Sequence, residues 1–174
     1  MKFVIFILAG LFLFSPQVFG QKEIQDGKAT LTNAKGEKVG SATFVWGAKG
    51  MYISVSVENL SPGKHGLHIH EIGKCEPPDF KSAGVHFNPH SRQHGHKNPQ
   101  GAHAGDFPNL IVKKNGKGQL TNYLTESVTP WANEPNSIFK AGGTSLVIHA
   151  DPDDEKTDPA GNSGARIACG VIEK

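Results

Sequence analysis

Seven side chains able to bind a metal ion stand out in this chain: His68, His70, His86, His94, His103 and Asp106 fall in one run, and His149 lies far downstream, near Arg166. Imidazole is the commonest metal ligand in proteins, and so much of it beside one carboxylate has the composition of a mixed copper and zinc site. His68 and His70 are two residues apart. In a strand that spacing turns both imidazoles to one face while Leu67 and Ile69 point to the core, so one strand can supply two ligands. Taken alone, two surface histidines on a polar strand face are the simpler account. His149 shifts the balance, because it ends a second apolar run, Leu146-Val147-Ile148. His86, His94, His103 and Asp106 follow at gaps of 8, 9 and 3 residues. Such wide gaps in a Gly- and Pro-rich segment let ligands converge from a folded loop, and four donors with no vacancy describe a tetrahedral structural zinc. The competing reading is a mobile, His-rich surface loop.

The elements that must position these residues read as short strands. Residues 29–32, 39–46 and 52–57 alternate apolar with small or polar side chains, and 33–36, 47–50 and 59–63 punctuate them as turns. Segments 67–70, 110–113, 119–124, 145–149 and 167–172 bring the expected strands to eight. No stretch sustains a helical period, and 21 glycines with 11 prolines suit a turn-rich antiparallel body. The prediction is an all-β, eight-stranded antiparallel Greek-key sandwich or flattened barrel. Two segments resist a strand reading, 71–108 and 150–165, and long irregular loops in a compact domain are usually functional or disordered. The metal-binding candidates lie in the first and beside the second.

Residues 1–20 read as a secretory signal peptide: Lys2 gives a basic start, residues 3–14 are almost wholly apolar, and small residues lead to Gly20. The apolar run is shorter than the roughly 18 to 20 residues that cross a bilayer, so no membrane association is expected after cleavage. What remains, 21–174, is 174 − 20 = 154 residues, enough for one domain. The chain holds 18 basic and 16 acidic residues; losing Lys2 leaves 17 − 16 = +1. That balance, with no basic stripe among aromatics, excludes a nucleic-acid binder. Cys75 and Cys169 form an even pair, which in an exported chain reads as one disulfide; two free thiols or a metal pair are the alternatives. Trp46, Trp131, Phe44, Phe107 and Phe139 read as core or loop anchors. His65, His90 and His96 read as solvated loop side chains, with a weak surface metal site at His90 or His96 as the alternative.

Four motifs together resemble the copper/zinc superoxide dismutases: Gly66-Leu67-His68-Ile69-His70-Glu71, Ser82-Ala83-Gly84-Val85-His86-Phe87-Asn88-Pro89, His103-Ala104-Gly105-Asp106, and Gly161 to Gly170 with Arg166 and Cys169. The resemblance spans about residues 27–172. The short step from His70 to Cys75 and the insert at 77–82 are similar to bacterial members, which implies a periplasmic, envelope or secreted enzyme. By this resemblance His68, His70, His86 and His149 are copper ligands; His86, as a bridge, with His94, His103 and Asp106 are zinc ligands. Asp153, with Asp154 as the nearby alternative, matches the acid that hydrogen-bonds ligands of both metals. Cys75 and Cys169 match the family's disulfide.

The implied reaction turns superoxide into oxygen and hydrogen peroxide, with Arg166 and His86 as catalytic residues. A fixed guanidinium beside an accessible copper offers charge and forked hydrogen bonding to a small anion. Segment 150–165 departs from the family. It is 16 residues long and carries Asp151, Asp153, Asp154, Glu155 and Asp158 against one lysine, Lys156. Carboxylates pointing outward there would repel superoxide and weaken steering by the protein's field. Lys156 is the candidate guiding charge; a solvated loop lysine is the other reading. Thr43, Val45 and Tyr52 could serve a homodimer, but nothing selects them. Two non-enzymatic readings remain: a dismutase-like protein that binds copper and zinc without turnover, and a structural adhesion-type sandwich. The first would be expected to lack a ligand or the arginine, and none is missing.

Overall fold

The computed structural model describes residues 26–174, so the signal-peptide reading of 1–20 lies outside the described residues. The nine strands are β1 (Gly27–Asn33), β2 (Lys38–Gly47), β3 (Gly50–Val57), β4 (Gly63–His65), β5 (Leu67–His70), β6 (Leu110–Val112), β7 (Gly118–Thr125), β8 (Ser145–His149) and β9 (Arg166–Val171). All pair antiparallel, in the order β4-β6-β7-β3-β2-β1-β9-β8-β5. Alternation explains the first three. Ala29 and Leu31, Ala42 and Phe44, and Ile53 and Val55 point inward, while the residues between them face out or lie half-buried. They share one core with Leu67, Ile69, Phe107, Leu110, Leu146 and Ile148. Trp46 meets Trp131 edge-on at 5.9 Å and packs against that core, an anchor as expected.

The eight predicted strands all form, and β4 is the ninth. Pro62 and Gly63 made its region read as a turn. It forms because Lys64 and His65 pair with Ile111 and Leu110 of β6. β4 ends one edge of the sheet and β5 the other, and only Gly66 separates them in the chain. A single bent segment therefore joins the two edges of a nearly closed barrel. Gly66 donates its N–H to Asp151 O and accepts from the His149 N–H. A Cβ on Gly66 would lie 2.7 Å from Ser163 Cβ and 3.0 Å from His68 Cε1, so glycine permits the close approach there.

The long segment after β5 folds back along that strand. Ile69 donates to Gly105 O and accepts from Phe87 N–H, Phe107 donates to Leu67 O, and Glu71 donates to Val85 O. This backbone pairing places His86 opposite His70, and Asp106 opposite His68. A 3-10 turn at Lys81–Ala83 lies in the same loop. Cys75 is bonded to Cys169 of β9, as predicted, across a separation of 94 residues. Phe80, Ala83, Val147 and Cys169 form a second small core around that bond. Closing so long a loop contributes on the order of 4 to 5 kcal/mol in the chain-entropy account.

Candidate metal centre

His68, His70, His86 and His149 are buried, and each offers a donor atom, all within 4.8 Å of one another. β5 supplies two of them, as its alternation predicts, while Leu67 and Ile69 enter the core. The face that would have been a solvated histidine pair is covered by the returning loop. Hydrogen bonds to the far ring nitrogens fix each tautomer. His68 Nε2 donates to Asp153 Oδ2 at 2.7 Å, His70 Nδ1 to Gly84 O at 2.9 Å, and His149 Nδ1 to Gly164 O at 3.2 Å. The lone pairs are left on His68 Nδ1, His70 Nε2 and His149 Nε2. Burial pushes His68 down to about 3 and His149 to about 4, and moves His70 well below the usual histidine range. All three stay neutral at physiological pH, the form that binds metal.

A second group meets the first at His86. His86 Nδ1 lies 3.1 Å from Asp106 Oδ1, His94 Nδ1 3.1 Å from Asp106 Oδ2, and His103 Nδ1 3.4 Å from Asp106 Oδ1. A donor grouping by distance puts His68 with His86, His94 and Asp106. His103 lies against the same carboxylate, and its Nδ1 is buried without a hydrogen bond. His68 Nδ1, His86 Nε2 and His94 Nδ1 are likewise buried without one. Buried polar atoms are seldom left so. Four in one cluster, all imidazole nitrogens, fit donors that converge on cations.

The electrostatics agree. Burial opposes charge on His94, but the adjacent Asp106 and Asp153 carboxylates outweigh it and raise the ring to about 9. Burial likewise opposes ionisation of Asp106, yet the close approach of His103, His86 and His94 holds it well below the usual carboxylate range. This corner of the site attracts positive charge. Asp106 also accepts the N–H groups of Gly95 and His103, at 2.9 and 3.0 Å.

Asp153 joins the two groups. Its Oδ1 accepts from His94 Nε2 at 3.0 Å and its Oδ2 from His68. Asp154 points outward and spends its carboxylate on the amides of Lys156 and Thr157 and on Asn162. The φ of Gly161 is +60°, and a Cβ there would collide with the Asp153 carboxylate. Arg166 begins β9 opposite His149. Its Nη1 and Nη2 donate to Phe80 O and Gly84 O, each at 2.6 Å. Gly84 O thus serves both the arginine and His70.

Of the acidic segment, Asp153 is buried, Glu155 pairs with Lys97 at 3.0 Å, and Asp158 takes the His94 N–H at 2.6 Å. Fewer carboxylates face solvent unengaged than their number suggests. Lys156 is exposed, its carbonyl accepting from Asn98. His90 and His96 are exposed, but His65 is not the solvated side chain expected. It is 2% exposed, with Nδ1 2.8 Å from His149 O and Nε2 2.8 Å from Ser61 O. Its place in β4, the strand that was missed, explains the difference.

A nearly closed antiparallel barrel carrying two overlapping buried donor groups defines a metal-binding protein. A sequence model of the copper/zinc superoxide dismutase family matches residues 26–172, and the chain belongs to that family. Copper and zinc are its cofactors, and superoxide dismutation its reaction. Superoxide dismutase [Cu-Zn] 1 of Aquifex aeolicus is 50% identical over 146 residues, 83% of this chain and 86% of that one. A SOD-like protein from Bacillus subtilis superposes with a TM-score of 0.76 at 39% identity, covering 83% of this chain and 96% of that structure. The Cu/Zn superoxide dismutase from Brucella abortus gives a TM-score of 0.67 at 30% identity, covering 86% and 100%.

Proposed function

We propose that the chain is an exported superoxide dismutase in which His68, His70, His86 and His149 hold copper while His86, His94, His103 and Asp106 hold zinc. The position of His86 carries this reading. Its Nδ1 faces Asp106, and its Nε2, on the opposite edge of the ring, is buried with no hydrogen-bond partner among the neutral histidines. Bound copper supplies a one-electron redox couple, and zinc, with one oxidation state, supplies charge and structure.

Two superoxide anions and two protons give one oxygen and one hydrogen peroxide, so one superoxide is oxidised and the other reduced. In this scheme His86 Nε2 takes up a proton in the first half of the cycle and returns it to the leaving peroxide in the second. Arg166 attracts the anion. Two backbone carbonyls hold its fork in place, and its remaining N–H groups are free to meet superoxide. Asp153 keeps His68 and His94 in one tautomer, which in metal sites fixes ring orientation and basicity. We assign Lys156 the guiding charge of the acidic segment.

Residues 1–20 act as the export signal and 21–174 as the mature enzyme, in a bacterial envelope space or outside the cell. The Cys75–Cys169 bond suits such an oxidising compartment. A metal-handling protein without turnover would not need Arg166 anchored beside the histidine group.

The test is a dismutase assay with metal analysis of the mature chain and two variants. His149→Ala is expected to abolish turnover while much of the zinc stays; activity surviving that change removes His149 from the copper set. Arg166→Ile is expected to slow the reaction with both metals retained, and loss of copper there would refute a substrate-facing role.

A further inference from the structure

We infer that Asn109 is a positioning residue shared by both metal sites, although it touches no ligand of either. The inference rests on the metal assignments proposed above. Asn109 Oδ1 accepts the Asp153 N–H at 2.8 Å, and Asn109 Nδ2 donates to Asp153 O at 2.8 Å. One side chain thus satisfies both main-chain polar groups of Asp153. A two-point grip of this kind imitates a strand pairing and fixes the peptide planes on either side of Asp153. Nδ2 also lies 3.4 Å from Glu155 Oε1, and the Glu155 N–H donates to Asp153 Oδ1 at 2.6 Å. Asn109, Asp153 and Glu155 therefore form one polar knot behind the carboxylate that His68 and His94 share.

The grip is useful because of what each partner is attached to. Asn109 immediately precedes β6, between Phe107 and Leu110, each 1% exposed in the core. Its backbone is held by the barrel. Asp153 sits instead in the irregular 150–165 segment, among prolines and glycines, where no strand ladder fixes its direction. Asn109 transfers the barrel's rigidity to the Asp153 carboxylate, and the carboxylate passes it to one ligand of each metal. Glutamine would carry the amide one methylene too far. Aspartate keeps the acceptor for the Asp153 N–H but loses the donor for Asp153 O and faces the Glu155 carboxylate.

The experiment compares wild-type protein with Asn109→Asp and Asn109→Ser, loaded with zinc and copper. Chelator competition gives the affinity for each ion, and thermal unfolding of the metal-free, disulfide-intact form gives the stability of the scaffold. Both affinities are expected to fall together by about tenfold, the low end of what disturbing a ligand's hydrogen-bond partner costs, with metal-free unfolding almost unchanged. Loss confined to one metal, loss at neither, or metal-free instability without a metal effect would overturn the inference. If Asn109→Ser fails to fold, Asn109→Asp decides; if neither folds, Asn109 serves the scaffold and the inference fails. A wild type that does not bind both ions would instead remove the metal assignment, an outcome read before any variant.

Discussion

Loading the metal-free protein with zinc and then copper releases protons in a pattern that the geometry dictates. Metal binding displaces any proton held on a ligand atom. His94 is raised to about 9, so at pH 7.5 about 30 molecules carry the proton for each that does not. Zinc entering beside Asp106 is expected to release about one proton from His94. Raising the pH must reduce that number, toward about half a proton at pH 9, because the ring is then already partly neutral. His68 and His149, at about 3 and about 4, carry no ligand-site proton to lose. His86 is different. Burial lowers its affinity for a second proton, so it enters as a neutral ring with a single N–H. With zinc held at Nδ1, as proposed, copper would reach Nε2 only by displacing that last hydrogen. The second step is expected to release about one further proton, supplied by the shared imidazole. Calorimetric titration at pH 7.5 in two buffers of different ionisation enthalpy counts both. A copper step that frees no proton on the zinc-loaded protein would show that the ring is not shared, and zinc-linked release that grows with pH would refute the assignment of the proton to His94.

Two further outcomes follow from the same contacts. In Asp153→Asn the amide keeps one acceptor oxygen but opposes the other histidine N–H with its own donors. At least one metal is therefore expected to bind about 10 to 100 times more weakly in chelator competition, and unchanged affinities for both would remove Asp153 as their common partner. The metal-free protein is expected to unfold most reluctantly near pH 6.5. His68 and His149 have folded values depressed to about 3 and about 4, so the stability they contribute is present above 6.5 and is lost as pH falls toward those values. His94 is raised to about 9, so its contribution is present below 6.5 and lost as pH rises through 9. Thermal unfolding across pH 4 to 9 checks this, and a curve still rising above pH 8 would contradict it.

Much of the site was legible because its chemistry is written in side chains. The step from His68 to His70 and the apolar run before His149 needed only residue type and spacing, while the roles of His86, Asp106 and Arg166 came from motifs that resemble the dismutase family. Strand alternation exposed β1 to β3 for the same reason. What stayed hidden depends on backbone atoms, which every residue possesses. The convergence of His86 and Asp106 on β5 is made by main-chain bonds from Val85, Phe87, Gly105 and Phe107. Gly84 enters through its carbonyl. β4 was masked by Pro62 and Gly63, and its pairing with β6 is what buries His65. Asp153 and Asp154 were distinguishable only through the turn, where Asp154 is captured by the amides of Lys156 and Thr157. Asn109 gave no signal, since an asparagine after a proline ordinarily marks a loop.

The seam at Gly66 ties the mechanics of the barrel to its cargo. The residue that joins the two rims is also two positions ahead of His68, the first of the buried histidines in the donor groups, and its amide and carbonyl are bound to the segment that carries His149 and Asp151. Any breathing that parts β4 from β6, or β5 from β8, pulls directly on the imidazoles. Fraying of this protein would therefore register as metal leaking out well before the shell itself comes apart.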